Sequence, residues 1–293
     1  MKEILIISGK GGSGKTTVAA ALIDIFSASN QMVLVDADVD AANLELLLHP
    51  ILEKSNDFMA GATAEIDNST CIGCGLCAEI CRFDAVRLID ETYTIDPAYC
   101  EGCEACLHQC PVGAISTHTK KSGEWYRSST EYGTMFHANL QPGAENSGRL
   151  VSEMKAAAKS FAVESNSDFM LIDGPPGIGC PVTASLQGSD LAVIVCEPTI
   201  SGVHDMRRAY LAASHFGIPC AIIINKSDLN PEMLAEIHQH AEDKGIQVLG
   251  EIPYDEQIIK AVCSGVPVTQ FAEKIFAGLL EEITNRLIES LPK

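Results

Sequence analysis

The sequence has no apolar stretch approaching the roughly 20 residues that a helix needs to cross a bilayer. Its first residues enter an apolar segment directly, without the pattern of a signal peptide. Basic side chains are scarce, because 20 lysines and arginines stand against 39 aspartates and glutamates, giving a formal net charge of -19. Such a charge disfavours non-specific binding to nucleic acid or to an anionic membrane. We therefore expect a cytoplasmic protein that binds neither DNA nor lipid.

Apolar side chains are plentiful, at 46% of 293 residues, which suits one large or two smaller domains. The most informative stretch is S-G-K-G-G-S-G-K-T-T at residues 8–17, which lies between an apolar run and a helix-like segment. It satisfies the pattern G-x-x-x-x-G-K-S/T over residues 9–16. A glycine-rich turn between a strand and a helix lets backbone N–H groups and the helix N-terminus bind phosphate. The stretch therefore predicts a nucleotide-binding phosphate loop.

Within this loop, Lys15 is expected to reach the outer phosphates and the Thr16 hydroxyl to bind Mg²⁺. The expected nucleotide contacts are Gly11, Gly12, Ser13, Gly14, Lys15, Thr16 and Thr17. A second lysine, Lys10, stands at the mouth of the loop, and with it the sequence resembles the deviant phosphate loop of the MinD/ParA/nitrogenase-iron-protein ATPases. In that family the early lysine crosses a dimer interface to the partner's nucleotide. The resemblance thus implies a homodimer that binds ATP, with Lys10 and Lys15 in catalytic roles.

Two further apolar runs end in carboxylates, at Asp36 and Asp38 after one run and at Asp173 after the other. Ligands bind at the carboxyl ends of strands in open α/β sheets. By resemblance to the family, Asp38 orients the attacking water, while Asp36 and Asp173 belong to the magnesium shell. The role of Asp40 stays open, and the Pro-Pro-Gly turn that ends at Gly177 resembles switch II.

A later apolar run ends in Asn-Lys-x-Asp at residues 225–228. In phosphate-loop proteins this motif addresses the base. The resemblance therefore implies that Asn225 contacts adenine and that Pro253 to Glu256 close the other side of the base.

Eight of the twelve cysteines fall within residues 71–110 of a chain without an export signal, so metal binding is favoured over disulfides. They form C-x2-C-x2-C-x3-C twice, at residues 71–81 and 100–110, and this duplication resembles a two-cluster bacterial ferredoxin. Three cysteines spaced two residues apart can surround one corner of a cubane, and the fourth points to the other cluster. We therefore predict two 4Fe-4S clusters. The ligands are Cys71, Cys74, Cys77 and Cys110 for cluster 1, and Cys100, Cys103, Cys106 and Cys81 for cluster 2.

Zinc is the alternative occupant, but zinc sites do not need the third and fourth cysteines at these distances. One departure from the ferredoxin pattern is Arg82, which follows Cys81 where proline is usual. The change keeps the ligand. Cys180 lies just after the switch II turn, and its role stays open.

The alternation of strands and helices predicts a doubly wound, mainly parallel α/β sheet of the P-loop, MinD-like type with an inserted α+β ferredoxin-like domain. We place the ATPase domain at residues 1–60 and 120–293 and the insert at residues 61–119. Periodicity is lost over residues 53–68, and residues 124–140 predict a hairpin. The final segment, residues 271–287, has one apolar face and a glutamate-rich polar face, which favours a docked helix over a membrane anchor.

Together these resemblances imply a magnesium-dependent ATPase whose homodimer couples its nucleotide state to electron transfer through two 4Fe-4S clusters to a client protein. Two alternatives stay open. One is an iron-sulfur carrier like the Mrp-type ATPases, which would pass a cluster to an accepting protein. The other is a spatial organiser of the MinD/ParA type, for which the acidic charge and the terminal segment are poor support.

Overall fold

The computed structural model of the chain describes residues 1–144, 147–271 and 275–292, with residues 275–277 as backbone. The chain forms two compact units. The first comprises Met1–Asn56, Trp125–Leu140 and Ser147–Lys293, and the second comprises Asp57–Glu124 and Gln141–Asn146. None of the helices in the described ranges is long and apolar enough to cross a membrane.

The strands, in chain order, are β1 (Lys2–Ser8), β2 (Met32–Asp36), β3 (Ile51–Ile66), β4 (Val86–Ile89), β5 (Thr92–Ile95), β6 (Ile115–Thr130), β7 (Gly133–Leu140), β8 (Phe169–Pro176), β9 (Leu191–Cys196), β10 (Cys220–Asn225) and β11 (Gln247–Ile252). The helices are α1 (Lys15–Ser27), α2 (Glu45–Leu48), α3 (Leu76–Ile80), α4 (Ala105–Gln109), α5 (Ser147–Glu164), α6 (Cys180–Leu186), α7 (Ile200–His215), α8 (Pro231–Lys244), α9 (Glu256–Cys263), α10 (Val268–Phe271) and α11 (Ile275–Glu289).

The strands of the large sheet have the order β11-β10-β9-β1-β8-β2-β7-β6-β3, and those from β11 to β7 lie in the first unit. The strands from β11 to β7 pair in parallel, with β1 between β8 and β9. Successive residues of β1, such as Ile4 and Leu5, point to opposite faces and are both fully buried. Helices must therefore cover both faces, which is why these strands read as continuous apolar runs. The predicted α/β fold with a mainly parallel sheet is confirmed.

The predicted hairpin is also present, because β6 and β7 are neighbours in the sheet and are joined by only two residues, Glu131 and Tyr132. The Thr130 hydroxyl closes the turn by donating to the Gly133 carbonyl at 2.8 Å. The sequence did not predict β3. Most of its first residues are exposed at the edge of the sheet, so no apolar alternation marks them.

The final helix, α11, packs on the core of the first unit as predicted. Leu280, Ile283 and Leu287 are buried in the same apolar cluster as α1. Ile275 and Phe276, which the sequence places on the same face, have side chains outside the described residues.

The second unit has a small core in which cysteines take the place of larger apolar side chains. Ala64, Ile66, Ala85 and Ile115 are buried together with Cys77 and Cys100. The antiparallel pair β4 and β5 and the short helices α3 and α4 complete the unit. Residues with left-handed backbone precede both helices: Gly75 with φ 78° and Glu104 with φ 63°.

Candidate functional site

The phosphate loop, residues 9–14, connects β1 to α1. Gly14 has φ 87°, and a Cβ atom there would lie 2.1 Å from Asn225 Nδ2. A Cβ atom on Gly9 would lie 2.2 Å from the Asp205 carbonyl oxygen of α7. Only glycine fits these two positions, because backbone and neighbouring side chains approach too closely for any other residue.

Two residues at the end of β10 donate hydrogen bonds to the backbone of this loop. Asn225 Nδ2 donates a hydrogen bond to the Ser13 carbonyl at 2.8 Å, and Lys226 Nζ donates to the Gly12 carbonyl at 3.3 Å. Asn225 is itself buried, with 6% of its surface exposed. In this structure Asn225 therefore supports the backbone of the phosphate loop, a role that the adenine prediction did not include.

Three buried charges lie where α1 begins and where β2 and β8 end. Lys15 Nζ forms an ion pair with Asp173 Oδ1 at 2.6 Å, and both side chains are nearly inaccessible to solvent. Asp36 is also buried. Burial, and next the Asp173 carboxylate, raise the pKa of Asp36 to about 8, against the lowering effect of Lys15. The second oxygen of Asp173, Oδ2, is buried without a hydrogen-bond partner among the described residues.

The segment after β2 is hydrogen-bonded to Asp36. The Asp36 carboxylate accepts hydrogen bonds from the backbone N–H groups of Asp38 and Leu44, both at 3.1 Å. Asp38 is half-buried, and burial raises the pKa of its carboxyl group. Asp40 is exposed.

The phosphate loop and the segment after β2 line one cavity of about 720 Å³, which we call the phosphate-loop cavity; Asp36 and Asp173 are not part of its lining. A volume of this size is ordinary for a small-molecule site. Of the predicted residues it brings together Gly11, Gly12, Ser13, Gly14, Lys15, Thr16, Thr17, Asp38 and Asp40. Ser147, at the start of α5, also lines it.

Lys10 lies outside the lining of that cavity and is held by Glu197 at the end of β9. Its Nζ lies 2.5 Å from Glu197 Oε1 and donates to the Ser201 hydroxyl at 3.0 Å. Lys226 Nζ contacts the other oxygen of Glu197 at 3.0 Å. Burial acts to raise the pKa of Glu197, but the hydrogen bonds and charges of the two lysines prevail and lower it. The sequence analysis missed Glu197, although its place at the carboxyl end of a buried strand was a usable signal.

A second, apolar cavity of about 210 Å³ adjoins the loop beside Asn225. Gly14 and Thr17 line one side, and apolar residues of β11 and α9 line the other, including Ile252, Ile258 and Val262. Pro253 is exposed and does not line this cavity. The apolar face of α9 was not assigned from the sequence, and the role of Pro253 beside the base stays a prediction.

The turn after β8 also contacts the loop region. Gly177 has φ 87°, and its N–H donates to the Ser8 carbonyl at 2.9 Å. Cys180 begins α6 and is exposed.

In the second unit the eight clustered cysteines surround two small cavities. We call them cysteine cavity 1 and cysteine cavity 2. The thiols lining cysteine cavity 1 are Cys71, Cys74, Cys77 and Cys110. Those lining cysteine cavity 2 are Cys81, Cys100, Cys103 and Cys106. Each cavity thus takes three cysteines from one repeat and the fourth from the other repeat.

Backbone N–H groups approach two of these sulfur atoms. Ala64 N donates to Cys100 Sγ at 3.4 Å, and Ala114 N donates to Cys110 Sγ at 3.3 Å. Burial opposes ionisation of Cys110, but the backbone N–H groups of residues 112–115 bring the pKa of its thiol below the usual value. In the part of the chain that the structure describes, no three His, Cys, Asp or Glu side chains are grouped closely enough to hold one metal ion. Each cysteine set lines a cavity instead of converging on a point.

Comparison with known proteins places most of the chain in one family. Residues 4–268 match the profile of the CobQ/CobB/MinD/ParA nucleotide binding domain. An uncharacterized protein of Methanocaldococcus jannaschii is 31% identical over 279 residues, covering 95% of this chain and 94% of the relative.

Two solved structures share the fold. The septum site-determining protein MinD of Pyrococcus horikoshii, complexed with Mg-ADP, superposes with a TM-score of 0.60 at 19% identity, covering 98% of this chain and 95% of that one. The MinC:MinD cell division protein complex of Aquifex aeolicus gives a TM-score of 0.58 at 17% identity, covering 100% and 98%. At these identities the likeness concerns the fold.

We predict that Asn225→Ala loosens the phosphate loop. The substitution leaves the buried Ser13 carbonyl without its donor, so the free energy of unfolding should fall by about 1–2 kcal/mol. Amide hydrogen exchange in residues 9–14 should become faster, which mass spectrometry would measure. The matched control is Asn230→Ala, which removes the N-cap of α8 and should lower stability by about 1 kcal/mol without affecting exchange in the loop. Equal exchange in the loop of both variants would contradict the assigned role.

Proposed function

The chain belongs to the CobQ/CobB/MinD/ParA nucleotide-binding family, and on that premise we propose that it is a dimeric, magnesium-dependent ATPase that carries two 4Fe-4S clusters and passes electrons to a client protein. The cysteine arrangement carries the second half of this proposal. Two cavities, each lined by four thiols in the crossed pattern of a two-cluster ferredoxin, are what a pair of cubanes requires.

The phosphate-loop cavity supports ATP as the substrate. Backbone N–H groups of the loop and the N-terminus of α1 face it, and Lys15 lies at its floor. Phosphate oxygens would compete with Asp173 for Lys15, which leaves the Asp173 carboxylate available to a cation. The Thr16 hydroxyl would bind Mg²⁺, with Asp36 and Asp173 in its outer shell. The unpartnered Asp173 Oδ2 fits this assignment, because a buried carboxylate oxygen needs a donor or a cation.

For hydrolysis, Asp38 is the residue placed to orient water. It is half-buried at the rim of the same cavity, and its backbone is fixed by Asp36. Mg²⁺ held by Thr16 would compensate the charge that develops on the phosphates. Lys10 would add charge from the partner subunit, and to do so it must leave Glu197.

The second unit fits iron-sulfur clusters better than a single ion. The thiols surround a cavity in each set, and N–H groups directed at Cys100 and Cys110 are the contacts that stabilise cluster ligands. Burial raises the pKa of Cys77 and Cys106, which disfavours their thiolates, and positive charge nearby would favour them. Bound iron would supply that charge and the capacity to hold one electron per cluster.

The iron content tests the cluster assignment. Protein purified without oxygen should contain about eight irons per chain, and Cys81→Ser and Cys110→Ser should each lower the content towards about four, because each removes a ligand from a different cluster. Iron and zinc would be measured by elemental analysis, with circular dichroism to check folding. Cys263→Ser, at an exposed cysteine of α9, is the control and should keep the full iron content. Zinc in place of iron would contradict the proposal. Rapid loss of iron to an apo-protein acceptor would favour the carrier alternative.

The ATPase assignment is tested by complementation between subunits. We predict that Lys10→Ala and Asp38→Asn each lower kcat by about 100-fold, since each removes a group that acts on the transition state. An equal mixture should recover roughly a quarter of wild-type activity, because half of the dimers then contain one complete site. Lys54→Ala, at an exposed residue of β3, should hydrolyse ATP normally. A mixture no more active than its components would show that Lys10 does not act across a dimer.

A second candidate is spatial organisation of the kind named in the septum site-determining relatives, and it is favoured by the whole-chain likeness to MinD structures. The net charge of -19 opposes the membrane and DNA attachment that such a role needs. Sedimentation with anionic liposomes and with DNA, each with and without ATP, separates the two functions. ATP-dependent co-sedimentation would favour the organiser, and its absence would favour the redox role.

A further inference from the structure

The two cysteine repeats have the same backbone but different side chains. Aligned on their cysteines, Glu101 corresponds to Ile72, and Glu104 corresponds to Gly75. Gly75 and Glu104 have the same left-handed conformation immediately before α3 and α4. The repeats are therefore structurally equivalent at these positions, and the difference between them is a difference in charge.

Both glutamates belong to the same cluster site. Glu101 and Glu104 line cysteine cavity 2. Among the described residues that line cysteine cavity 1, none is charged, and Ile72 stands where the other cavity has Glu101. Whatever occupies the two cavities therefore meets two carboxylates in one and none in the other.

The backbone does not require a glutamate at position 104. A residue with a side chain is disfavoured at φ 63°, and glycine would remove that strain, as Gly75 does in the first repeat. The Glu104 carboxylate accepts a hydrogen bond from the Thr117 hydroxyl at 3.3 Å and is otherwise exposed. The position thus carries a negative charge in spite of its conformation.

One cation lies in the same segment and acts in the opposite direction. Arg82 follows Cys81, but it is exposed and does not line cysteine cavity 2. Asp84, two residues later, is also exposed and adds a further negative charge; it corresponds to Gly113 in the second repeat. Arg82 and Asp84 offset each other, as do the paired Arg87 and Asp96 beside the cavity, so the two glutamates of the lining leave a net negative charge.

We propose that Glu101 and Glu104 make the cluster of cysteine cavity 2 the harder of the two to reduce, so that the first electron rests on the cluster of cysteine cavity 1. This inference depends on the proposed function, because it requires that both clusters are present. Reduction adds one electron to a cluster, and a nearby carboxylate disfavours that added negative charge. An electron on the cluster of cysteine cavity 2 then passes spontaneously to an oxidised cluster of cysteine cavity 1.

A redox titration followed by EPR tests the inference. With dithionite as the one-electron donor, the wild-type protein should show two separate reduction midpoints. Glu101→Gln combined with Glu104→Gln should raise the lower midpoint by the equivalent of about tenfold in the reduced-to-oxidised ratio, which is about 59 mV for one electron. The upper midpoint should move much less. Added salt should shrink the separation, because both carboxylates are exposed and are screened.

A reciprocal variant and a matched control complete the design. Ile72→Glu, at a side chain that is 64% exposed, should lower the upper midpoint, since it places a carboxylate at cysteine cavity 1. Glu91→Gln removes a charge from the turn between β4 and β5, lines neither cavity and should leave both midpoints unchanged.

The outcomes separate this inference from the proposed function. Protein without iron would overturn both. Protein with full iron and two EPR signals, but with a single midpoint or with glutamate variants that raise the upper midpoint, would overturn the redox order and leave the proposed function standing.

Discussion

The structure of the first unit depends on an imbalance of buried charge. Lys15, Asp36 and Asp173 form a group of three buried charged side chains. Among the described residues, Lys15 is the only cation of this group. A buried ion pair is tolerable when it is well paired, but a second buried carboxylate is costly unless it takes up a proton or meets another cation. The raised pKa of Asp36 reflects this cost, because burial and the Asp173 carboxylate both disfavour its ionised form.

A site with one positive and two negative groups can therefore accept a divalent cation, together with an anion that competes for the lysine. The nucleotide and magnesium of the proposed function would supply both, in keeping with the position of these charges at the ligand-binding edge of the sheet.

The sequence was sufficient for the parts of the site in which spacing determines geometry. The phosphate loop could be predicted because its glycines, Lys15 and Thr16 are contiguous, and the aspartates because they end apolar runs. The ion pairs of Glu197 could not, since Lys10, Glu197 and Lys226 are far apart in sequence and meet only when β1, β9 and β10 are brought together. Pro253 was assigned by resemblance alone, and the apolar cavity beside Asn225 is lined instead by residues such as Ile258 and Val262 of α9, which no sequence motif marks. β3 was missed because an exposed edge strand carries little of the alternation on which such predictions depend.

More of the second unit's site could be predicted from the sequence than of the first unit's site. Its cysteine sets could be predicted from a duplicated spacing, and the structure places the same sets around two cavities. The core of this unit is small, with cysteines among its buried residues, so its apolar side chains alone bury little surface. In domains of this kind bound metal commonly contributes to the free energy of folding. The electrostatic difference between the two cysteine cavities could be found only from the sequence and the structure together. The sequence supplies the glutamates, and the structure shows that Glu101 and Glu104 line one cavity only.

Nucleotide binding can influence the second unit only through groups whose contacts differ between nucleotide states. The covalent connections supply two candidates. The chain enters the second unit through α2 and β3, and Leu46 and Leu47 of α2 line the phosphate-loop cavity. It leaves for the last time through Gln141–Asn146, which is followed directly by Ser147, another residue of that cavity. Asp36 joins the first of these paths to the buried charges, because its carboxylate binds the Leu44 N–H. A cation that changes the ionisation or position of Asp36 would alter that hydrogen bond first. The coupling proposed between ATP and the clusters therefore has a physical starting point in one carboxylate.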